Sequence, residues 1–462
     1  MAWFRSRTRF ERIVLIACLV AIPAELAVKS FRHSTTYGDF NVHREFGRRF
    51  LAREPLYINY EKPDRVFCYN YMPISGLYYA PLALVPPGVA SLFRTSAALL
   101  CLVLTFRWLE SMIRPRARPG SWRGVGFGAA AVLLTLQYVV RDLDDGGPHL
   151  ILLALIVGSF QLIRRGREAF GAAGIGLAIA LKMTPGLFLP YFAWKRKWRL
   201  AGLSMAWTAA WIVLPAIWMG PSGWWDHQQQ WNRVALNVFS DRTDSVRRDN
   251  EARVQNQALK PAILRYLVAY PPGHPLKVDH PADRAFLNLD PSTANRLASL
   301  ASLGLLAGVA WWSRRPGRGT DDPMLASEMA AVLILIPLLS PVTWLQHLVF
   351  LLPAAYLLVV EHRAIHRLGS MALATVGLFA VLANVLSRDL VGRGNSLLLL
   401  SLHIHTLAML LLLGLLMARR PTVVPALTGS TDLRVEGPGP PPLAHLPGDA
   451  RRQPAPVPRI PA

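Results

Sequence analysis

Long apolar runs separated by short clusters of arginine and lysine are the feature that most limits what this chain can become. A bilayer core about 30 Å thick takes roughly 20 apolar residues per helical crossing, and about a dozen such runs fit along the sequence. Hydrophobic residues make up 52% of the chain and charged residues only 17%, a balance that excludes an ordinary water-soluble globule. The pattern reads as an all-α polytopic membrane protein whose core is the membrane bundle itself.

The net charge of +22, from 50 basic and 28 acidic side chains, would suggest nucleic acid as a partner in a soluble protein. Here the basic residues sit in short loops between apolar runs, where the positive-inside rule assigns them to the cytoplasm. No nucleic-acid module accompanies them, so membrane lipids and not nucleic acid are the expected surroundings. Cys18, Cys68 and Cys101 are too few and too scattered for a disulfide framework.

The basic clusters set the register of crossings. Arg5, Arg7, Arg9 and Arg12 precede an apolar run at 13–28 that lacks a small-residue cleavage site, so it reads as an uncleaved first helix after a cytoplasmic N-terminus at 1–12. Further clusters at 114–123, 164–167, 195–199, 314–318, 363–367 and 419–420 then predict crossings near 89–112, 124–140, 149–163, 169–181, 184–194, 200–219, 297–313, 324–340, 344–360, 368–386 and 397–417. The total is about 11–13 transmembrane helices, with 169–181 and 184–194 short enough to be half helices broken at Pro185. Large outer loops fall at about 30–87 and 220–295, within a membrane domain spanning 13–417. The stretch 418–462 holds 11 prolines in the 42 residues from Pro421 onward and reads as a disordered cytoplasmic tail. The expected location is the plasma (inner) membrane, with both termini cytoplasmic. Of the early crossings, only the first is expected to carry a charge, Glu25.

In this topology polar groups from distant parts of the chain meet at the outer boundary. Asp39 follows the first helix; Asp142, Asp144, Asp145 and His149 occupy one turn; Lys182 precedes Thr184-Pro185. Asn256, Gln257 and Arg265 belong to the second outer loop, and Trp344 and His347 follow Ser340-Pro341. An ionisable group near hydrocarbon costs a few kcal/mol and needs a reason to be there. Singly, each has an ordinary explanation: a helix-capping carboxylate, a snorkelling lysine, a satisfied interfacial histidine. Trp207, Trp211, Trp218, Trp224 and Trp225 likewise suit an interfacial belt. Asp142-Leu143-Asp144 has a two-carboxylate spacing that leaves a divalent cation open, although no metal ligand set is defined. Convergence on one face favours surface chemistry over a secondary transporter or flippase, whose polar groups track through the midplane. A purely structural scaffold gives no reason for the clustering.

The segments Gly38-Asp39-Phe40, Phe50-Leu51-Ala52-Arg53-Glu54-Pro55-Leu56-Tyr57, Tyr69 and Tyr71-Met72-Pro73 resemble the first outer loop of glycosyltransferase family 87. These are GT-C-fold polytopic mannosyltransferase-like enzymes that use polyprenyl-phosphate sugars. Leu181-Lys182-Met183-Thr184-Pro185, then Asn256-Gln257-Ala258-Leu259 with Arg265, then Ser340-Pro341-Val342-Thr343-Trp344 with His347 follow in the family's order. The resemblance spans roughly 10–417. One departure is the turn Asp144-Asp145-Gly146-Gly147-Pro148-His149, where the family commonly has Gly-Gln.

The resemblance implies inverting transfer of a hexose, mannose by family weight, from a polyprenyl-phosphate donor to a hydroxyl of a glycolipid or glycan at the extracytoplasmic face. A lipid-linked glycan ligase or polymerase would share this topology. An acceptor hydroxyl needs a carboxylate to take its proton, and the match assigns that role to Asp39. A departing phosphate needs cationic stabilisation, assigned to Lys182, Arg265 and His347. Tyr37, Phe40, Asn256, Gln257, Trp344, Asp144 and Asp145 are then the candidates for sugar and acceptor contacts. The leaving phosphate carries its own charge, so the second carboxylic acid of a glycosidase is unnecessary. The lipid-linked donor is a substrate, and no cofactor is defined.

Overall fold

The computed structural model describes residues 39–57, 71–113, 122–236, 253–269, 284–315, 324–361 and 369–418, with Glu25, Val28 and Phe31 besides. Most of the first crossing, Tyr37, and the tail beyond 418 lie outside the described residues. Every regular element among them is helical. In chain order these are α1 Asp39–Ala52, α2 Ile74–Ala83, α3 Pro87–Ile113, α4 Trp122–Leu134, α5 Leu136–Asp145, α6 His149–Arg164, α7 Glu168–Leu181, α8 Phe188–Trp194 and α9 Trp198–Val213. They continue with α10 Ala216–Met219, α11 Pro221–Leu236, α12 Leu259–Leu267, α13 Pro291–Trp312, α14 Met324–Leu339, α15 Leu352–Val360, α16 Ser370–Ala380, α17 Arg388–Ser401 and α18 Ile404–Ala418.

Helix α14 is the axis of the bundle. It is apolar on every face beyond Glu328, and every residue from Leu325 to Leu338 is buried, as a helix enclosed by other helices must be. Helices α3, α9 and α13 instead turn Phe93, Met205, Leu300 and Leu303 outward as exposed apolar side chains, a face that hydrocarbon covers at no cost and water does not. The chain is thus an all-α polytopic membrane protein.

The crossings are more broken than their sequence pattern predicts. Among the described residues two helices, Pro87–Ile113 and Trp198–Met219, are long and apolar enough to cross by themselves, or up to four if two bent pairs each count as one span. One of those pairs, Gly124–Leu134 with Leu136–Asp145, bends by 77° within the run read as the crossing 124–140. Thr135 sits at the bend and spends its hydroxyl on the Ala131 carbonyl at 2.9 Å, a back-bond that bends helices. The backbone groups this break frees are answered from far along the chain. Asn384 donates to the Leu134 carbonyl at 2.9 Å and accepts from the Gln137 amide at 3.2 Å. In a bilayer such groups have no water to turn to.

The region 169–194 forms half helices as expected. Helix α7 ends at Leu181, Lys182 is extended, and a 3-10 turn Thr184–Leu187 leads into the seven residues of α8.

The expectation that only Glu25 carries charge into the early crossings is wrong. Arg94, in α3, is buried, and it is affordable there because its guanidinium donates to the carbonyls of Leu143 at 2.8 Å, Asp142 at 2.6 Å and Gly147 at 2.5 Å. At the opposite end, Lys195 turns inward from its basic loop to meet Glu328 of α14 at 2.8 Å, both side chains being almost fully buried. Tyr191 donates to the other Glu328 oxygen at 2.7 Å.

Helix α1 lies against α2 along Phe40, His43, Phe46, Gly47 and Phe50, spaced three or four residues apart. The two backbones nearly touch at Gly47, where an added Cβ would stand 2.5 Å from the Tyr79 carbonyl oxygen. Arg44 fastens the far end of α2 by donating to the carbonyls of Leu82 and Val85 at 3.2 and 3.0 Å.

Candidate active site

Four breaks in the helices meet near one point: the start of α1, the turn between α5 and α6, the extended residue after α7, and the loop after α14. Lys182 is the hub. Its Nζ lies 2.8 Å from His149 Nε2 and 3.0 Å from His347 Nε2. No helix interior could offer this approach, because the extended backbone at Lys182 (φ −153°, ψ 113°) ends α7 and frees the side chain to reach sideways.

One of the two imidazoles, His149, is set to offer the amine a lone pair. His149 Nδ1 is 2.8 Å from Asp142 Oδ1, so its proton belongs on Nδ1 and its Nε2 lone pair faces Lys182. Asp142 is wholly buried and is itself held by the backbone amides of His149 and Leu150 at 3.2 and 3.3 Å. Arg94 stands 3.6 Å from its other oxygen. His347 Nδ1 accepts from the Trp344 backbone amide at 3.3 Å.

The turn carrying this cluster needs its glycines. Gly146 ends α5 in the left-handed region at φ 74°, a conformation that costs other residues a steric penalty. A Cβ on Gly147 would stand 2.7 Å from His149 Nδ1 and 2.9 Å from Asp142 Oδ1. The departure from the family's Gly-Gln turn is therefore where the Asp142–His149 pair is fitted together.

Asp39 opens α1 at the mouth of the site, its Oδ2 accepting from Gln346 Nε2 at 3.5 Å. Desolvation by the surrounding protein raises its pKa above the ordinary carboxylate value, while Lys182 and the Gln346 hydrogen bond pull it back. Asp39 is nevertheless open to solvent, which screens the effect and keeps the rise modest. One turn along α1, His43 is stacked on Tyr79 with centroids 4.4 Å apart. Burial, reinforced by Arg94, lowers its pKa to about 3 and keeps it neutral.

Behind Lys182 a narrow pocket with a cavity volume of about 20 Å³ lies between α2, α6 and α7. Ile151, Leu155 and Leu181 give it an apolar floor, Tyr71 and Tyr78 an aromatic wall, and Lys182 its polar end. The Tyr71 ring centroid is 6.0 Å from Lys182 Nζ.

The remaining predicted residues divide between this cluster and other places. Phe40 is buried in the α1–α2 contact, and Trp344 is half-buried at the head of the 3-10 turn Leu345–Leu351. Asp145 pairs with Arg141 at 3.4 Å and is close enough to Asp39 to feel its charge. Asp144 is half-buried beside it.

Asn256 and Gln257 are fully buried and clamp the loop. Asn256 donates to the Pro341 carbonyl at 3.0 Å and accepts from the Thr343 amide at 2.8 Å. Gln257 donates to Val254 and Leu400 carbonyls at 2.7 and 3.0 Å and accepts from the His405 amide at 3.3 Å. Arg265 stands near His403, on the helix whose Tyr266 hydroxyl donates to the Leu402 carbonyl at 3.0 Å. Asn256 thus reaches the loop after α14, and Gln257 and Arg265 reach the α17–α18 junction. Among the described residues no three His, Cys, Asp or Glu side chains are grouped as a metal site requires.

Arg94 was not among the predicted site residues, although a lone arginine inside an apolar run is a signal that can be read. Gln346 gave no such signal: only the fold brings it to Asp39.

An apolar pocket that ends at an amine set between two imidazoles, with a carboxylate near by, places this chain in the class of integral-membrane proteins with a polar site built at helix breaks. The comparisons with known proteins agree with that class. Residues 69–341, more than half of the chain, match the model of glycosyltransferase family 87, and the chain belongs to that family. It is 26% identical over 335 residues, 68% of each chain, to a polyprenol-phosphate-mannose-dependent alpha-(1-2)-phosphatidylinositol mannoside mannosyltransferase of Mycolicibacterium smegmatis. A protein of the same description from Mycobacterium tuberculosis is 26% identical over 357 residues, 73% of this chain and 74% of its own. A pentamannoside mannosyltransferase of that species is 24% identical over 294 residues, 63% of this chain and 58% of its own. The chain is therefore a membrane glycosyltransferase. Asp39 and His347 fall outside the matched segment, so the argument for each of them is one of position.

Proposed function

We propose that the enzyme transfers mannose from a polyprenyl-phosphate donor to a hydroxyl of a phosphatidylinositol-mannoside-type glycolipid, at the extracytoplasmic face of the plasma membrane and with inversion. The observation that supports this reading is the narrow apolar pocket that ends at Lys182: its lining suits the head of a lipid chain and its amine suits a phosphate. The relatives' donor and acceptor have this chemistry. The side of the membrane follows from the basic clusters, which leave both termini in the cytoplasm and the site outside.

The chemistry then divides among few groups. The acceptor hydroxyl gives its proton to the Asp39 carboxylate as its oxygen attacks the anomeric carbon. The bond from that carbon to the phosphate oxygen breaks, and polyprenyl phosphate departs with the electron pair. Lys182, supported by His149 and His347, meets the charge that grows on the leaving oxygen. His149 takes one N–H of the Lys182 amine, and another N–H is left for the phosphate. Gln346 orients Asp39. Asn256 and Gln257 act indirectly, by fixing the loop that bears Gln346 and His347. Arg265 lies by His403 at the α17–α18 junction and takes no part in this scheme.

The test is transfer of radiolabelled mannose from synthetic polyprenyl-phosphate mannose to phosphatidylinositol mannosides by the purified full chain in lipid nanodiscs. Labelled glycolipid at a rate that depends on both substrates is the expected result. A protein that turns over GDP-mannose directly, or only exchanges lipid between leaflets, would overturn the proposal.

A further inference from the structure

The Lys182 amine has no carboxylate within ion-pair distance among the described residues. For a lysine this enclosed, that is unusual, since a paired carboxylate is the ordinary way to hold a buried cation. The nearest buried acid, Asp142, is instead occupied on both oxygens. Oδ1 takes the His149 ring proton at 2.8 Å and the His149 amide at 3.2 Å, and Oδ2 takes the Leu150 amide at 3.3 Å. Arg94 stands 3.6 Å away and offsets its charge. The imidazole of His149 is interposed, 2.8 Å from each side.

From this geometry we infer that Arg94, Asp142 and His149 form a positioning relay for Lys182, which orients the amine by a lone pair and leaves it without a carboxylate partner, open to an anionic lipid phosphate. The inference rests on the proposed donor chemistry and adds three residues to it. Each link has a separate task. Arg94 knots the turn through three carbonyls and balances Asp142. Asp142 fixes the His149 tautomer, so that Nε2 presents a lone pair and never an N–H to the amine. His149 then holds Lys182 at the polar end of the pocket without competing for it as a carboxylate would. A carboxylate in direct contact with Lys182 would have to be displaced by every phosphate that binds.

A double-mutant cycle separates positioning from mere structural support. The probe is a synthetic polyprenyl monophosphate, and the readout is its Kd for the full chain in nanodiscs. Four proteins are compared: wild type, Asp142→Asn, Lys182→Met and the double variant. Asp142→Asn alone is expected to weaken binding about tenfold, a coupling of ordinary size for groups in one network. In the Lys182→Met background the same change is expected to shift Kd less than about twofold. His149→Phe, measured in both backgrounds, supplies a second cycle if Asp142→Asn does not fold. Effects that multiply across the two backgrounds, or an Asp142→Asn protein that binds like wild type, would overturn the relay while leaving the donor reading intact. Failure of the wild-type protein to bind the probe would overturn both.

Discussion

Replacing Asp39 by Asn tests the base with little disturbance to the fold. Asparagine has nearly the same shape, and its carbonyl oxygen can keep the 3.5 Å contact with Gln346, so thermal stability in nanodiscs should stay close to wild type. What it cannot do is accept the acceptor's proton. Positioned general bases contribute about 10²–10⁴ in rate, so kcat should fall by that factor, equivalent to about 3–5 kcal/mol of barrier. KM for the donor should change little, because the phosphate is held at Lys182. The pH profile adds an independent check. Wild-type activity should fall as pH drops through the pKa of Asp39, with a limb above the ordinary value of 3.8 because desolvation by the surrounding protein raises it. Gln346 donates to the carboxylate and lowers that pKa, so Gln346→Leu should move the limb further up, and Asp39→Asn should abolish it. The assay is initial-rate transfer of labelled mannose across a pH series at saturating acceptor. An Asp39→Asn enzyme with near wild-type kcat, or one whose acid limb is unchanged, would refute the assignment of the base.

Three other outcomes follow from the packing and the site. Gly47→Ala sets a methyl group 2.5 Å from the Tyr79 carbonyl oxygen, which is backbone and cannot swing aside; thermal or denaturant unfolding should show a loss of about 1–3 kcal/mol, and a neutral result would mean α1 and α2 are less tightly joined. Glu328→Ala leaves Lys195 buried without its partner, for an expected loss of about 3–5 kcal/mol, whereas Tyr191→Phe removes only a hydrogen bond to the same carboxylate and should cost less. Transfer should survive exhaustive chelation, because Asp142 is spent on His149 and the cation facing the pocket is Lys182; loss of activity in EDTA restored by magnesium or manganese would show a metal where the proposed mechanism has none.

The parts of the fold set by hydropathy and charge were legible because they depend on solvent alone. Runs of apolar residues and basic clusters report which medium each segment contacts, and they located α3, α9, α14 and the half helices around Pro185. The breaks were harder to read. A helix bent at Thr135 needs neither Gly nor Pro when a side chain as distant as Asn384 supplies the missing hydrogen bonds. In the site, Asp39, Lys182 and His347 were visible as polar residues out of place at the membrane face. Arg94 was equally out of place but was passed over, and it proved to anchor the turn that carries His149. Asn256 and Gln257 illustrate the opposite case. Their position in an outer loop suggested sugar contacts, yet their amides are consumed by backbone groups, a distinction no residue type announces. Gln346 is paired with Asp39 across 307 positions, a separation at which sequence spacing carries no information.

The Asn384 bridge across the bend at Thr135 bears on how this family can be taken apart. Helix α5, which delivers Asp142, hangs from a residue beyond the matched segment 69–341. Gln346 and His347 reach back from beyond it as well, and Asp39 reaches in from ahead of it. The stretch most recognisable across relatives is therefore not a module that can be excised, swapped or fused at its own borders. A chimera joined near 341 would place its seam between Lys182 and His347, one of the two histidines it touches, so the two parents would have to share the geometry of that contact before any sugar could move.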